Sequence, residues 1–359
     1  MYDSHQDTPS QLLRLRDPGI DNNYSQVDFP KLKKGGVDGA FWALYTPPDY
    51  DPSLAEAYAA RLLDAIYAAA GKYPDIAAVT TSPAGALENV GKGLFSIFIG
   101  MENGLPIGNS IEKLHAFWRR GVRYLTLTHN ADNAIAGSAA GSATWGGLSP
   151  FGREVLREMN RLGMMVDLSH SADSTFWDCI KLSEAPVIAS HSCCRALCSH
   201  RRNLTDDMLR AIADVDGYVG INFYPAFLSD DFGKGYESLI DEADAAEAAF
   251  IESPADASRI EAWHRAQDRL ATVPRPGVKE VVDHIDHAVE ICGIDHVGIG
   301  SDFDGILLAP AGLDNVSMMP LVFTEMNRRG YSNEDIEKVS GMNLMSVWGR
   351  ILSSAESTL

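Results

Sequence analysis

Residues Met164–His170 read Met-Met-Val-Asp-Leu-Ser-His, and the fold turns on how this stretch is taken. Its apolar part, Met164–Leu168, is too short for a helix and reads as a buried strand, while its end carries Ser169 and His170 instead of ordinary turn residues. A helical pattern precedes it (Pro150–Leu162, opened by Ser149 and Pro150) and another follows it (Asp173–Leu182). The same alternation runs outward in both directions. Further apolar runs lie at Gly39–Tyr45, Leu94–Gly100, Tyr124–Thr128, Pro186–Ala189, Tyr218–Phe223 and His296–Ile299, and Tyr2–Thr8 supplies an eighth strand. Between them fall helix-like stretches at Leu54–Ala70, Ile111–Arg120, Thr205–Val215 and Lys279–Cys292. Near-continuous apolar strands alternating with helices predict a parallel sheet covered on both faces. Eight strand–helix units favour a closed (β/α)₈ TIM-type barrel of the α/β class over an open doubly wound sheet. The Gly-rich dinucleotide fingerprint is missing, and Gly298-Ile-Gly300-Ser-Asp-Phe lacks the third glycine. Residues 229–276 break the rhythm with an acidic, Ala-rich segment, read as a helical insertion after the seventh strand within a single domain spanning 1–359.

The 359 residues are 45% hydrophobic and 22% charged, enough for a full core. A formal charge of -19 argues against nucleic acid as a partner, because binding a phosphate backbone needs a basic surface. No apolar run is long enough to span a bilayer, and Met1–His5 lacks a basic-then-apolar leader, so the sequence reads as cytoplasmic, with a removed leader left open. An odd count of five cysteines is no disulfide framework, and Cys193, Cys194 and Cys198 lack the paired knuckles of a structural zinc site; they read as small buried residues.

The polar residues fall where the strands end. The first run ends in His5-x-Asp7, the third in Glu102, the fourth in His129, the fifth in Asp167 to His170, the sixth in His191 and the eighth in Asp302-x-Asp304. In an α/β barrel these ends surround one mouth, where catalytic groups collect. Residues i and i+2 of a strand point the same way, so His5 and Asp7 are expected to reach one cation. Imidazoles and carboxylates together form a ligand set suited to zinc, and a carboxylate such as Glu102 can bridge two ions that share and activate a water. A lone histidine is more often structural, and His115, His200, His264, His284, His287 and His296 are placed in that class, with His284 and His287 expected on a solvated helix face.

The stretches that carry these residues resemble, over essentially the whole chain, the membrane (renal) dipeptidase family of zinc dipeptidases within the metal-dependent amidohydrolase superfamily. They are Asp3–Pro9, Gly100–Gly104, Arg123–Asn130, Val166–His170, Ala189–Ser192, His200–Asn203, Asn222–Tyr224 and Gly298–Gly305, with Gly341–Asn343 and Val347-Trp348 similar to the family's final helix. The resemblance implies two zinc ions per chain, one held by His5 and Asp7, the other by His170 and His191, with Glu102 between them. It implies Asp302 as general acid/base and His129 as the group polarising the scissile carbonyl. Arg202 is implied as the grip on a substrate's C-terminal carboxylate, assisted by Tyr224. The implied substrate is a small dipeptide with a free carboxylate, often with a D-configured C-terminal residue, and the implied assembly is a homodimer. Ser4 replaces the family's usual glycine, and the leader and lipid-anchor tail of the animal enzymes are absent from this sequence. Two other readings stay open: an amidohydrolase acting on a cyclic amide, lactone or phosphoester, and a non-catalytic ligand-binding barrel.

Overall fold

The pleat of a strand sends alternate side chains to opposite faces, and here that alternation builds two separate cores. In the computed structural model, which describes residues 1–14, 16–232 and 237–356, nine parallel strands form one sheet. They are β1 (Tyr2–Gln6), β2 (Gly39–Tyr45), β3 (Ala77–Val79), β4 (Phe95–Glu102), β5 (Val122–Thr126), β6 (Met165–Asp167), β7 (Val187–Ser192), β8 (Tyr218–Ile221) and β9 (Val297–Ile299). All but β3 run in the order β1-β2-β4-β5-β6-β7-β8-β9. The ends of that row meet just past β9: the Asp302 amide donates to the His5 carbonyl at 3.0 Å, and the Asp7 amide to the Phe303 carbonyl at 2.9 Å. Asp3, buried between them, accepts from the Ser301 amide at 2.9 Å and from Gln6 Nε2 at 2.8 Å. The result is a nearly closed barrel of eight parallel strands, the TIM-type architecture expected from the strand–helix alternation.

Inward residues Tyr2, Phe41, Phe98, Tyr124, Met165, Ile188 and Tyr218 fill the lower barrel. The helix Asn343–Glu356 closes its floor with Leu344, Val347, Trp348 and Ile351. Outward residues such as Trp42, Ile97, Leu125, Val166, Val219 and Ile299 pack instead against the surrounding helices. Glycine makes room for the interior tyrosines: a Cβ on Gly100 would lie 2.1 Å from the Tyr124 ring, and one on Gly298 2.4 Å from the Tyr218 hydroxyl. Above this apolar plug the inward positions turn polar, which opens the mouth.

The helices Pro150–Leu162 and Asp173–Leu182 match their expected bounds, and Ser149 caps the first by accepting from the Gly152 amide at 2.9 Å. The short strand β3 was not anticipated. It pairs with the start of β4, at Phe95–Ile97, on the edge that β5 takes over from Ile99. The insertion after the seventh barrel strand is two helices, Glu237–Glu252 and Ala257–Leu270, stacked on each other. Residues 233–236 of the expected insertion, and 15 and 357–359 of the expected domain, lie outside the described residues. Among the described residues no helix is long and apolar enough to cross a membrane.

Candidate metal centre

Each barrel strand delivers its polar side chain to the mouth through a local device of its own. Between Asp3 and Gln6 the pairing of β1 with β2 shifts register, and both Ser4 and His5 then face the interior. Ser4 Oγ donates to the Ser190 and Ile299 carbonyls at 2.5 and 2.8 Å, so this serine ties three strands together. Asp7 is not on the strand at all. It is the N-cap residue of the helix Thr8–Leu12. The two side chains do come together, but not through the expected same-face alternation, because the chain has already turned when Asp7 brings Oδ2 to 3.2 Å from His5 Nε2.

Glu102 lies at the centre, at the end of β4, and is 3% exposed. Its Oε2 faces His5 Nε2 at 3.6 Å, while its Oε1 faces His170 Nε2 at 3.0 Å and His191 Nε2 at 3.5 Å. His129 Nε2 lies 4.0 Å from the same Oε1. Asp302 Oδ1 is 3.9 Å from His5 Nε2, and its Oδ2 accepts from Asn222 Nδ2 at 2.9 Å. These residues form three overlapping groups able to hold a cation: His5 with Glu102 and His191, Glu102 with His129 and His170, and His5 with Asp7 and Asp302.

The outer ring nitrogens are held, so the Nε2 atoms are the ones presented. His5 Nδ1 is 2.7 Å from the Tyr124 hydroxyl, His191 Nδ1 2.8 Å from Ser190 Oγ, and His170 Nδ1 3.2 Å from Asn130 Oδ1. Ser190 Oγ in turn donates to Asp167 Oδ2 at 2.6 Å, which makes the buried Asp167 a support for His191. His170 and Asp302 both sit in the left-handed region, at φ 67° and 62°. Neither is a glycine or asparagine, and holding such conformations costs on the order of 1–3 kcal/mol each.

The electrostatics suit cation binding. Burial, and then the Arg202 charge, depress the His170 imidazole well below its ordinary range; burial and then His5 and Arg202 do the same for His191, so both stay neutral and able to donate a lone pair. Burial and then Arg202 take His129 down to about 3. Burial works against charge on His5 as well, but Tyr124, Glu102 and Asp7 together prevail and raise it. Asp7 and Asp302 are pushed up, by burial first and by neighbouring carboxylates second. One oxygen of Asp7 and His129 Nδ1 are buried with no hydrogen-bond partner. A carboxylate cluster without a compensating cation is costly, and the donor set is the one a divalent ion satisfies.

The cavity over this centre has a volume of about 510 Å³. Tyr45, Tyr224 and Phe227 line it, and from the insertion Asp244, Glu247 and Ala248 complete its wall. Arg202 is not on the wall. It is buried, packs against Phe227 with its guanidinium carbon 5.3 Å from the ring centre, and donates from Nη2 to the His191 carbonyl at 3.4 Å. Its Nε is unpartnered, and among the described residues no carboxylate lies within ion-pair distance of it. Burial lowers it to about 10, against the opposing pull of Asp302 and Glu102.

Of the histidines set aside, His115, His200, His264, His287 and His296 lie outside the cluster, paired or stacked elsewhere. His284 is a correction: it is 1% exposed, not solvated. Its Nδ1 accepts from the Cys194 amide at 3.0 Å and its Nε2 lies 3.2 Å from the Leu228 carbonyl, joining the loop that carries Arg202 to the segment that carries Tyr224. Burial takes it down to about 4. Since the unfolded chain then binds the extra proton between about pH 6.5 and 4, His284 contributes stability that is full above that window and lost as pH falls through it. Urea midpoints measured between pH 7.5 and 5 are expected to fall with pH, and His284→Gln is expected to flatten that slope. Asp304 is a second refinement: it is ion-paired to Arg16 and accepts from Thr8 Oγ1 at 2.9 Å, a structural role. All five cysteines are buried and free.

The comparisons with known proteins agree with this geometry. The family model for membrane dipeptidase (peptidase family M19) matches residues 1–358. The chain belongs to the membrane dipeptidase family. It is a metal-dependent hydrolase of dipeptides. Among solved structures it is similar to the probable dipeptidase PvdM from Pseudomonas aeruginosa, at 28% identity and TM-score 0.83, covering 99% of this chain and 96% of that one. It is also similar to a metallopeptidase from Rhodobacter sphaeroides, liganded with a phosphinate mimic of the dipeptide L-Ala-D-Ala, at 26% identity and TM-score 0.81, covering 98% of both chains. Membership makes the non-catalytic barrel and the cyclic-amide alternatives unnecessary.

Proposed function

We propose that this dipeptidase cleaves dipeptides with a free C-terminal carboxylate, D-configured C-terminal residues among them, at a pair of zinc ions. The observation that carries the reading is the two-sided environment of Glu102, with His5 on its Oε2 side and His170 and His191 on its Oε1 side. His5 and Asp7 would hold one ion, His170 and His191 the other, and Glu102 would span them. Bound there, the ions supply Lewis acidity and lower the pKa of water.

The chain's own residues supply the rest. Asp302, oriented by Asn222, takes a proton from the attacking water and passes it to the leaving amine nitrogen. His129, kept neutral, faces the carbonyl oxygen where negative charge develops. Arg202, behind Phe227, has no carboxylate partner among the described residues and suits a substrate's terminal carboxylate, assisted by Tyr224, whose ring packs against Phe227 on the wall. The modest cavity and its roof favour a dipeptide over a long peptide. The phosphinate mimic bound by the Rhodobacter sphaeroides relative supports the D-configured preference. The insertion shares a small apolar core with Leu308 of the barrel, which supports one domain over 1–359. A homodimer belongs to the same reading through the family resemblance alone.

The test is a dipeptide panel with paired L- and D-configured C-terminal residues, using zinc-reconstituted protein. Turnover is expected for free-carboxylate dipeptides and is expected to fall at least tenfold when that carboxylate is amidated. No turnover on any member overturns the reading.

A further inference from the structure

Outside the cluster at its base, the cavity wall carries three charged side chains besides Asp244, and each is met by an opposite charge. Arg14 is ion-paired to Glu247 across the mouth, and Asp304 to Arg16. Arg14 is the one basic side chain on the described wall, and its charge is already met. That leaves Asp244, on the inserted helix Glu237–Glu252, without a hydrogen bond or cationic partner among the described residues. Its carboxylate acts on the Tyr224 phenol, whose ring packs against Phe227 at 5.0 Å between centres, and Phe227 in turn lies over Arg202. Asp244, Tyr224 and Phe227 line one cavity and Phe227 lies over Arg202, so a substrate residue whose carboxylate reached Arg202 would lie by the wall that Asp244 shares.

We propose that Asp244 is a specificity-determining residue selecting dipeptides whose C-terminal residue carries a cationic side chain. The inference rests on the dipeptidase reading above and deepens it. A lysine-type ammonium gives Asp244 a cationic partner, while a carboxylate side chain meets Asp244 with no unpaired cation on the described wall to screen it. Partial burial and the like charges of Glu247 and Asp241 already disfavour the lone carboxylate, a penalty that an arriving cation relieves.

Rates for Ala-Lys, Ala-Gln, Ala-Glu and Lys-Ala test this with the zinc-loaded enzyme. The kcat/KM ratio of Ala-Lys to Ala-Gln is expected to be about tenfold, equivalent to about 1.4 kcal/mol, with Ala-Glu the poorest and Lys-Ala gaining little. In Asp244→Asn that ratio is expected to collapse towards one, and in Asp244→Lys the order of Ala-Lys and Ala-Glu is expected to reverse. An active enzyme whose ratio is unchanged by Asp244→Asn, or which shows no preference at the outset, overturns the proposal and leaves the dipeptidase reading intact. Failure to cleave any dipeptide overturns both.

Discussion

Asp302→Asn is expected to lower kcat by about 10²–10⁴-fold, the range that general acid/base catalysis supplies, while the protein retains its metal. The amide keeps the shape, and its oxygen can still accept from Asn222 Nδ2, so the cluster holds its geometry. What is lost is a group that can accept and return a proton. Metal content by atomic emission together with kcat on the best dipeptide checks the two halves. Full activity in the variant removes Asp302 from its role; loss of metal moves it among the ligands, where its 3.9 Å distance to His5 already makes it a candidate.

Stripping the metal with a chelator is expected to have the larger effect, a fall to the background rate restored by added zinc. It is also expected to lower the melting temperature. A ligand that binds only the folded state stabilises it by about 4 kcal/mol at a thousandfold excess over Kd, and here its removal also leaves Asp7, Glu102 and Asp302 facing one another in a buried site. Glu102→Ala is expected to reproduce the chelated state, because it takes away the one carboxylate that faces both histidine sets. A variant that keeps two ions and its activity contradicts that assignment.

The barrel was legible because hydrophobic burial on both faces of a parallel sheet writes eight apolar runs into the sequence, and each of them is a strand in the structure. The strand β3 was not legible, since Ala77-Ala78-Val79 is too short and too plain to stand out, and only its pairing with β4 makes it a strand. The residues of the candidate metal centre were legible as a cluster, because barrel topology converts strand ends into neighbours. The details behind them were not. Asp7 reaches His5 across a register shift and a helix cap, features set by the closure of β1 against residues 301–303. The left-handed backbone at His170 and Asp302 was not legible either: histidine and aspartate enter that region more often than most residues, but far too seldom for their presence to mark it. His284 looked like a solvated helix position because periodicity reports an element's own faces and not the loops folded over them. Arg202 and Asn222 lie outside the regular strands and were reached through the family's motifs. Asp244 carries no motif and became visible only when the insertion was placed over the mouth.

The seam between β1 and residues 301–303 also governs when the enzyme can come into being. His5 emerges early in synthesis, yet the backbone that aligns it, through the Asp302 amide, is made some three hundred residues later, and the floor under it is laid by Trp348 later still. A partly made chain on the ribosome thus carries ligands without a site. The candidate site is complete only once these distant segments have been made and paired, and such late pairing is the slow part of folding a barrel of this kind.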